Sequence, residues 1–111
     1  MSVTAAANAL ILTSAIAQSI DNIDVISIST ASGEVYRKAY QNKETLSASE
    51  RKYTFYLTEN EANEAIAKLS LCGNGATTAL GDGTEMAYSA VNINKTNTQS
   101  LLIYWSVKVV S

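Results

Sequence analysis

Acidic side chains are the groups in this chain whose types and spacing could do chemistry. Glu59, Glu61 and Glu64 lie within six residues, and the other acidic candidates are Asp21, Asp24, Asp82 and Glu85. Two carboxyl groups across a cleft could hydrolyse a glycosidic bond. A small domain with short connections seldom builds such a cleft, so a solvated acidic turn is the favoured interpretation. The Asp82 and Glu85 pair could bind a cation, but its spacing matches no calcium loop.

Nucleophilic chemistry lacks a base in this sequence. The chain has no histidine, so a serine or Cys72 would need a lysine partner, and neither Lys68 nor Lys95 stands in a recognisable motif. A single cysteine excludes an internal disulfide and a cysteine-based zinc site, and we interpret Cys72 as a small core residue. The sequence therefore predicts a protein that is not an enzyme and that has no catalytic residues, no cofactor and no metal site.

Two glycine-rich stretches, Gly73-Asn74-Gly75 and Gly81-Asp82-Gly83, are the nearest approach to a phosphate-binding loop. Neither is followed by the Lys-Ser or Lys-Thr pair that completes such a loop, and no helix follows that could offer its N-terminus. Glycines at this spacing between apolar runs are typical of tight turns. We therefore interpret both stretches as turns of a β-rich domain.

Composition indicates a protein that makes contacts with other proteins. The 111 residues suffice for one domain, and 16% of them are charged against roughly 25% in typical domains. So few charges favour apolar faces that are covered by other chains; the alternative is a compact monomer rich in alanine and serine. The net charge of −2 with scattered lysines and arginines argues against nucleic-acid binding. The apolar N-terminal stretch is too short and too polar for a membrane span.

The elements that must position these groups are one helix and about six strands. Alanine and leucine density predicts a helix over residues 1–20. Period-two alternation predicts strands at residues 23–30, 34–40, 51–58, 65–72, 86–94 and 100–110, with residues 41–49 as a polar connection. The predicted fold is α+β: a single domain, 1–111, whose N-terminal helix packs on a mostly antiparallel β-sandwich or curved sheet formed by residues 23–110.

Aromatic side chains are numerous for this length and suggest an interface. Tyrosine and tryptophan favour sites that are apolar at one end and wet at the other. Packing within the core and stacking against sugars remain open alternatives for these rings. The interface hypothesis names Leu10 of the predicted helix together with Tyr36, Tyr40, Tyr53, Tyr88, Tyr104 and Trp105.

The order of these pieces resembles a known family. Ile23-Asp24-Val25-Ile26-Ser27-Ile28 is followed by Gly33-Glu34-Val35-Tyr36-Arg37, then by Ala65-Ile66-Ala67-Lys68-Leu69 and by the Leu80-Gly81-Asp82-Gly83-Thr84 turn. The chain is thereby similar to small structural proteins of tailed bacteriophages, including the collar domain at the N-terminus of phage tail fibres. The similarity spans nearly the whole chain.

The resemblance implies a non-enzymatic virion protein, made in the cytoplasm of a bacterial host. Its role would be that of a tail, collar or baseplate adaptor, or of a fibre-attachment subunit. The implied partners are other copies of the chain, as a trimer or higher ring, and other virion proteins, with no nucleic acid and no membrane. A capsid decoration or head-fibre protein is one alternative. A small carbohydrate- or receptor-binding β-module is the other.

Overall fold

A computed structural model describes residues 7–16 and 20–109 of the chain, and the regular elements in these ranges are all β-strands. The strands are β1 Ala7–Ile16, β2 Ile23–Thr30, β3 Gly33–Ala39, β4 Asn42–Ser47, β5 Glu50–Leu57, β6 Ala65–Gly73, β7 Thr84–Asn94 and β8 Ser100–Val109. The predicted α+β class is therefore wrong, because the described part of the chain is an all-β protein without a helix.

The described strands form two four-stranded sheets. The strand order is β1-β8-β5-β4 in the first sheet and β3-β2-β6-β7 in the second. Neighbouring strands are antiparallel in every pair except β1 and β8, which run parallel from Ala7 opposite Ser100 to Ile16 opposite Val109. The prediction of a mostly antiparallel region does not include this parallel pair, because it assigns the residues of β1 to a helix.

The N-terminal segment is where the helix prediction fails. Leu12 is half-buried and Ile16 is buried, whereas Ile11, Thr13 and Ala15 are exposed, which is the two-residue period of a strand. Alanine content gives only a weak preference for helix, and a tertiary contact easily overrides it. Here the contact is the pairing with β8, whose backbone runs beside β1 along all ten residues. Residues 1–6 and 17–19 of the predicted helix lie outside the described residues.

Strand β4 is the second departure from the sequence-based expectation. Its six residues are all exposed, so no buried face marks the strand in the sequence. It forms because its backbone pairs with β5, from Asn42 opposite Thr54 to Ser47 opposite Glu50. The predicted polar connection at residues 41–49 is thus wrong, while the six predicted strands are confirmed to within two residues at each end.

The core lies between the two sheets. Tyr53, Phe55 and Trp105 are its largest members, and none of the three exposes any surface. The aliphatic members come from alternate positions of both sheets: Ile26, Ile28, Leu57, Ile66, Leu69, Leu71, Leu101, Ile103 and Val107. Cys72 packs with Val25 and Ala76 in a small separate cluster, which confirms its interpretation as a core residue.

Candidate functional site

A cluster of buried polar residues lies on the outer face of the second sheet. Ser27 of β2 stands opposite Arg37 of β3 on one side and opposite Ser70 of β6 on the other. All three residues are buried although they point away from the core. Residues 74–83, which connect β6 to β7, fold back over this face, and Arg37 donates hydrogen bonds to the backbone oxygens of Thr77 (3.0 Å) and Asp82 (2.7 Å).

The carboxylate of Glu34 completes the anchor of this loop. It accepts a hydrogen bond from the Arg37 guanidinium at 2.5 Å, one from the Ser27 hydroxyl, and one from the Gly81 backbone N–H at 2.8 Å. Burial alone would raise the pKa of Glu34, but these hydrogen bonds outweigh it and lower the pKa. Glu34 is therefore ionised at neutral pH and holds Arg37 and the loop together.

A second carboxylate, Glu85, lies at the other end of the same shallow pocket of about 270 Å³. It accepts a hydrogen bond from Ser70 Oγ at 2.6 Å and pairs with Lys68 Nζ at 3.0 Å, and these contacts lower its pKa despite partial burial. A glycosidase requires one carboxyl group whose pKa is raised. The contacts of Glu34 and Glu85 lower both pKa values, which is opposite to the shift that the general acid of a glycosidase needs.

The acidic turn that follows β5 contains an ion pair rather than three solvated carboxylates. Glu61 accepts hydrogen bonds from Lys38 Nζ (2.6 Å), the Tyr36 hydroxyl (2.6 Å) and the Thr58 backbone N–H (2.8 Å). These outweigh the effect of burial and lower the pKa of Glu61 to about 2. The bond to Glu61, together with burial, raises the pKa of Tyr36 to about 12. The turn thus fastens β3 to the end of β5.

Asp82, predicted as one half of a cation site, binds within its own loop. Its carboxylate accepts a hydrogen bond from Thr77 Oγ1 at 2.8 Å, while Glu85 bonds Ser70 and Lys68 as described above. Among residues 7–16 and 20–109, no three histidine, cysteine, aspartate or glutamate side chains are grouped so that they could hold a metal ion.

Two residues of the interface hypothesis lie inside the chain's own core. Tyr53 and Trp105 have no exposed surface. The Tyr53 hydroxyl donates to the backbone oxygen of Ile20, and burial raises the pKa of Tyr53 to about 12. The Trp105 indole donates to Ser14 Oγ at 2.9 Å. These two rings present no surface to another molecule, so the association surface described below omits them.

The remaining tyrosines of that hypothesis are dispersed over the molecule. Tyr36 binds Glu61, and Tyr40 stands edge-on to the Tyr53 ring at 5.3 Å. The Tyr88 and Tyr104 rings are covered on one side by the ammonium groups of Lys68 and Lys52, at 4.8 and 5.3 Å from the ring centres. The structure does not bring these aromatic residues together into one groove.

The four edge strands divide by charge into two kinds. At one side of the sandwich, β3 carries Glu34, Arg37 and Lys38, and β4 carries Lys43 and Glu44. At the other side, β1 has no charged residue and β7 has only Glu85. Charged side chains on an edge strand discourage pairing with another chain. We call the second pair of strands, Ala7–Ile16 and Thr84–Asn94, the uncharged side.

Apolar side chains are incompletely covered along the uncharged side. Ile11, on the outer face of β1, is 75% exposed, and Leu10 of the interface hypothesis is half-buried on the inner face. The other half-buried apolar residues that pack here against the core are Leu12, Met86, Ala87, Val91 and Ile93. A shallow pocket of about 400 Å³ separates Ser14 and Ala15 from Met86 and Ala87. β1 and β7 approach each other across the two sheets, and this shallow groove lies between them at the surface.

Sequence reasoning missed both the Arg37 anchor and the uncharged side. A signal for the second was present, because no charged residue precedes Asp21 in the chain. The anchor had no local signal, since Arg37 meets Thr77 and Asp82 from 40 and 45 residues away.

Comparison of the chain with models of protein families, with characterised proteins and with solved structures gives no match. Within the described ranges, no helix is long and apolar enough to cross a membrane. Any assignment of function therefore rests on the sequence pattern and on the geometry given above.

Proposed function

We propose that this protein is a non-enzymatic structural subunit that associates with copies of itself through its uncharged side. The observation that carries this proposal is the unequal distribution of charge among the four edge strands. β3 and β4 carry the charges that keep an edge from pairing, whereas β1 carries none. Among the described strands β1 has a neighbour on one side alone, and the N–H and C=O groups of such a ten-residue edge can pair with a second strand.

Association through this side also buries apolar surface. Ile11 and the half-buried residues Leu10, Leu12, Val91 and Ile93 lose contact with water when another sandwich covers the uncharged side. Burial of apolar area contributes roughly 25 cal/mol per Å², so covering this side favours the assembled state. The same surface has only one charge, which makes a highly charged partner such as nucleic acid a poor fit.

The polar cluster supports a structural role in preference to catalysis. Glu34, Glu85 and Arg37 each bond to groups of the same chain, and both carboxyl pKa values are lowered. A carbohydrate-binding module is disfavoured because its rings would have to line one groove, whereas lysines cover one face of Tyr88 and of Tyr104. The proposal therefore assigns the cluster to loop anchoring.

The sequence resemblance supports a phage particle as the place of action. We propose a tail, collar or baseplate adaptor or a fibre-attachment subunit, with capsid decoration or a head fibre as the alternative location in the virion. Quantitative mass spectrometry of purified particles tests this part. The proposal expects the chain at a fixed copy number per particle, and its absence from washed particles would remove the virion assignment while leaving self-association intact.

A charge inserted into the uncharged side tests self-association directly. Ile11→Lys places an ammonium group at the centre of β1, where the side chain is exposed, so the single chain keeps its fold. The matched control is Leu46→Lys, which adds the same charge to the already protected edge β4. Light scattering coupled to size exclusion is expected to show a monomer for Ile11→Lys and an unchanged oligomer for Leu46→Lys. Equal masses for the two variants would contradict the proposed surface.

A further inference from the structure

The sequence of β1 is nearly the same when it is read in either direction from Ile11. The strand contains Ala7-Asn8-Ala9-Leu10-Ile11-Leu12-Thr13-Ser14-Ala15. Leu10 and Leu12 flank Ile11. The next position outward is a small residue on each side, Ala9 and Thr13. Polar Asn8 and Ser14 follow, and then Ala7 and Ala15. A strand with this order presents matching residue types to a copy of itself that runs in the opposite direction.

We infer that two copies pair β1 with β1 in antiparallel orientation around a two-fold axis at Ile11. This inference rests on the proposed function, because it specifies how the uncharged side associates. In this register Ile11 stands opposite Ile11 of the partner subunit, and Leu10 stands opposite Leu12 of the partner subunit. The contact is isologous, since each strand offers the other the same surface.

The exposure of the three central residues fits this register. Ile11 is 75% exposed on the outer face of the first sheet, and a directly opposed side chain lies within about 5 Å across an antiparallel pair. Leu10 and Leu12 face the core side and are half-buried on the edge strand β1. Pairing therefore joins the two isoleucines outside and two pairs of leucines inside.

Antiparallel pairing is also the orientation that extends both layers. A two-fold axis perpendicular to the first sheet keeps the core faces of both copies on the same side, so the two β7 edges approach each other as well. A parallel pair related by an axis along the strand would turn the core face of one copy outward. Only the antiparallel arrangement lets both sheets of the partner face the uncharged side.

The single charge on the uncharged side is compatible with this arrangement. Glu85 lines the same pocket as Ala15, near the end of β1. Because Ala15 stands opposite Ala7 of the partner subunit, the two copies of Glu85 lie at opposite ends of the contact, about 25 Å apart at about 3.3 Å per residue. Repulsion between two charges at that distance is largely screened at physiological salt.

The area available is sufficient for a stable pair. A ten-residue edge is about 33 Å long, and the shortest dimension of the molecule is 20 Å. The opposing faces thus amount to roughly 650 Å² per copy and about 1,300 Å² together, within the range of specific interfaces. A two-fold pair then replaces the trimer or ring of the resemblance as the first step of assembly.

Cysteine cross-linking tests the axis. In a Cys72→Ala background, which removes the buried native thiol, Ile11→Cys puts one thiol opposite its own copy, within reach of a disulfide bond. The matched control Thr13→Cys is also exposed, but its two copies stand about 13 Å apart along the strands. Oxidised glutathione is expected to convert most of the Ile11→Cys protein into a covalent dimer, at least tenfold more than Thr13→Cys.

A spin label on Thr13→Cys supplies a second measure that does not depend on disulfide geometry. Two-fold pairing predicts dipolar broadening from one neighbouring label, which disappears when labelled protein is diluted with unlabelled protein. An oligomer in which Ile11→Cys does not cross-link and the label shows no broadening would overturn the two-fold axis and leave the proposed self-association standing. A monomer at all concentrations would overturn both.

Discussion

The indole N–H of Trp105 donates a hydrogen bond to the hydroxyl of Ser14 at 2.9 Å, across 91 positions of sequence. Trp105 is the largest side chain of the core, and Ser14 belongs to the edge strand β1. The bond therefore ties the strand of the proposed interface to the centre of the molecule. It also satisfies a donor that would otherwise be buried among apolar groups.

Ser14→Ala is expected to destabilise the protein by about 1–3 kcal/mol, because it leaves the Trp105 N–H without its acceptor. Urea unfolding monitored by tryptophan fluorescence measures this loss in the free energy of unfolding. Thr13→Ala, at an exposed neighbouring position, is the control and should change little. Equal effects of the two substitutions would show that the hydrogen bond is not a significant anchor of β1.

Arg37→Met is expected to release the loop of residues 74–83. The substitution keeps an unbranched apolar stem but removes the donors to Thr77, Asp82 and Glu34, and it leaves the Glu34 carboxylate without its cation. Loss of one partner from a largely buried ion pair costs about 3 kcal/mol or more. Hydrogen exchange should accelerate in this loop before it does in the strands.

The control for that experiment is Arg51→Met. Arg51 pairs with Asp21, which is exposed, so the pair is screened by water and its removal should have a much smaller effect. If Arg51→Met destabilised the protein as much as Arg37→Met, or if exchange in residues 74–83 were unchanged by Arg37→Met, the anchoring role of Arg37 would be refuted.

Acid should weaken the contact between β3 and the turn after β5. The pKa of Glu61 is lowered from 4.5 to about 2, so the unfolded chain binds a proton more readily than the folded one. The stabilisation is fully present above pH 4.5 and is lost as the pH falls towards 2. Its size is roughly 3 kcal/mol, since each unit of pKa shift corresponds to about 1.4 kcal/mol.

Glu61→Gln tests this pH dependence. The variant should be less stable than the parent at pH 7, and the difference between them should shrink as the pH falls from 4.5 to 2. Glu59→Gln, at an exposed position in the same turn, should follow the parent curve. Parallel curves for Glu61→Gln and the parent across this range would contradict the role assigned to Glu61.

Gly83→Ala is expected to disturb the packing of the loop on the second sheet. Its φ of +73° disfavours a side chain, and an added Cβ would lie 2.4 Å from the Cβ of Ala76. Gly75 also has a positive φ, of +88°, but an added Cβ there meets open space. Thermal unfolding should therefore show a loss of about 1 kcal/mol for Gly75→Ala and a further 1–3 kcal/mol for Gly83→Ala. Identical losses would argue against the close contact with Ala76.

Strands in which apolar and polar residue types alternate could be predicted from the sequence, whereas β1 and β4, which lack that alternation, could not. β8 places Leu101, Ile103, Trp105 and Val107 on one face, and that period is visible without a structure. β4 has no buried face at all, so only the hydrogen bonds to β5 define it. In β1, local alanine content favoured a helix, while the parallel partner β8, about 90 residues away, decided the outcome.

The candidate site illustrates the same limit. The prediction that the chain has no catalytic residues follows from its residue types, such as the lack of histidine. The contacts of Arg37 with Thr77 and Asp82 depend on a loop that folds back over the sheet, which no local pattern encodes. The interface hypothesis selected aromatic residues by type. Tyr53 and Trp105 are buried in the core, however, so they cannot contact another molecule.

Sedimentation equilibrium of the unaltered chain, over a wide range of protein concentration, is the most direct test of the central claim. Association through the uncharged side predicts an average mass that rises from that of one 11.8 kDa chain to at least twice that value. The transition should be largely insensitive to salt, because the contact involves few charges. A mass that stays at one chain up to millimolar concentration would contradict the account.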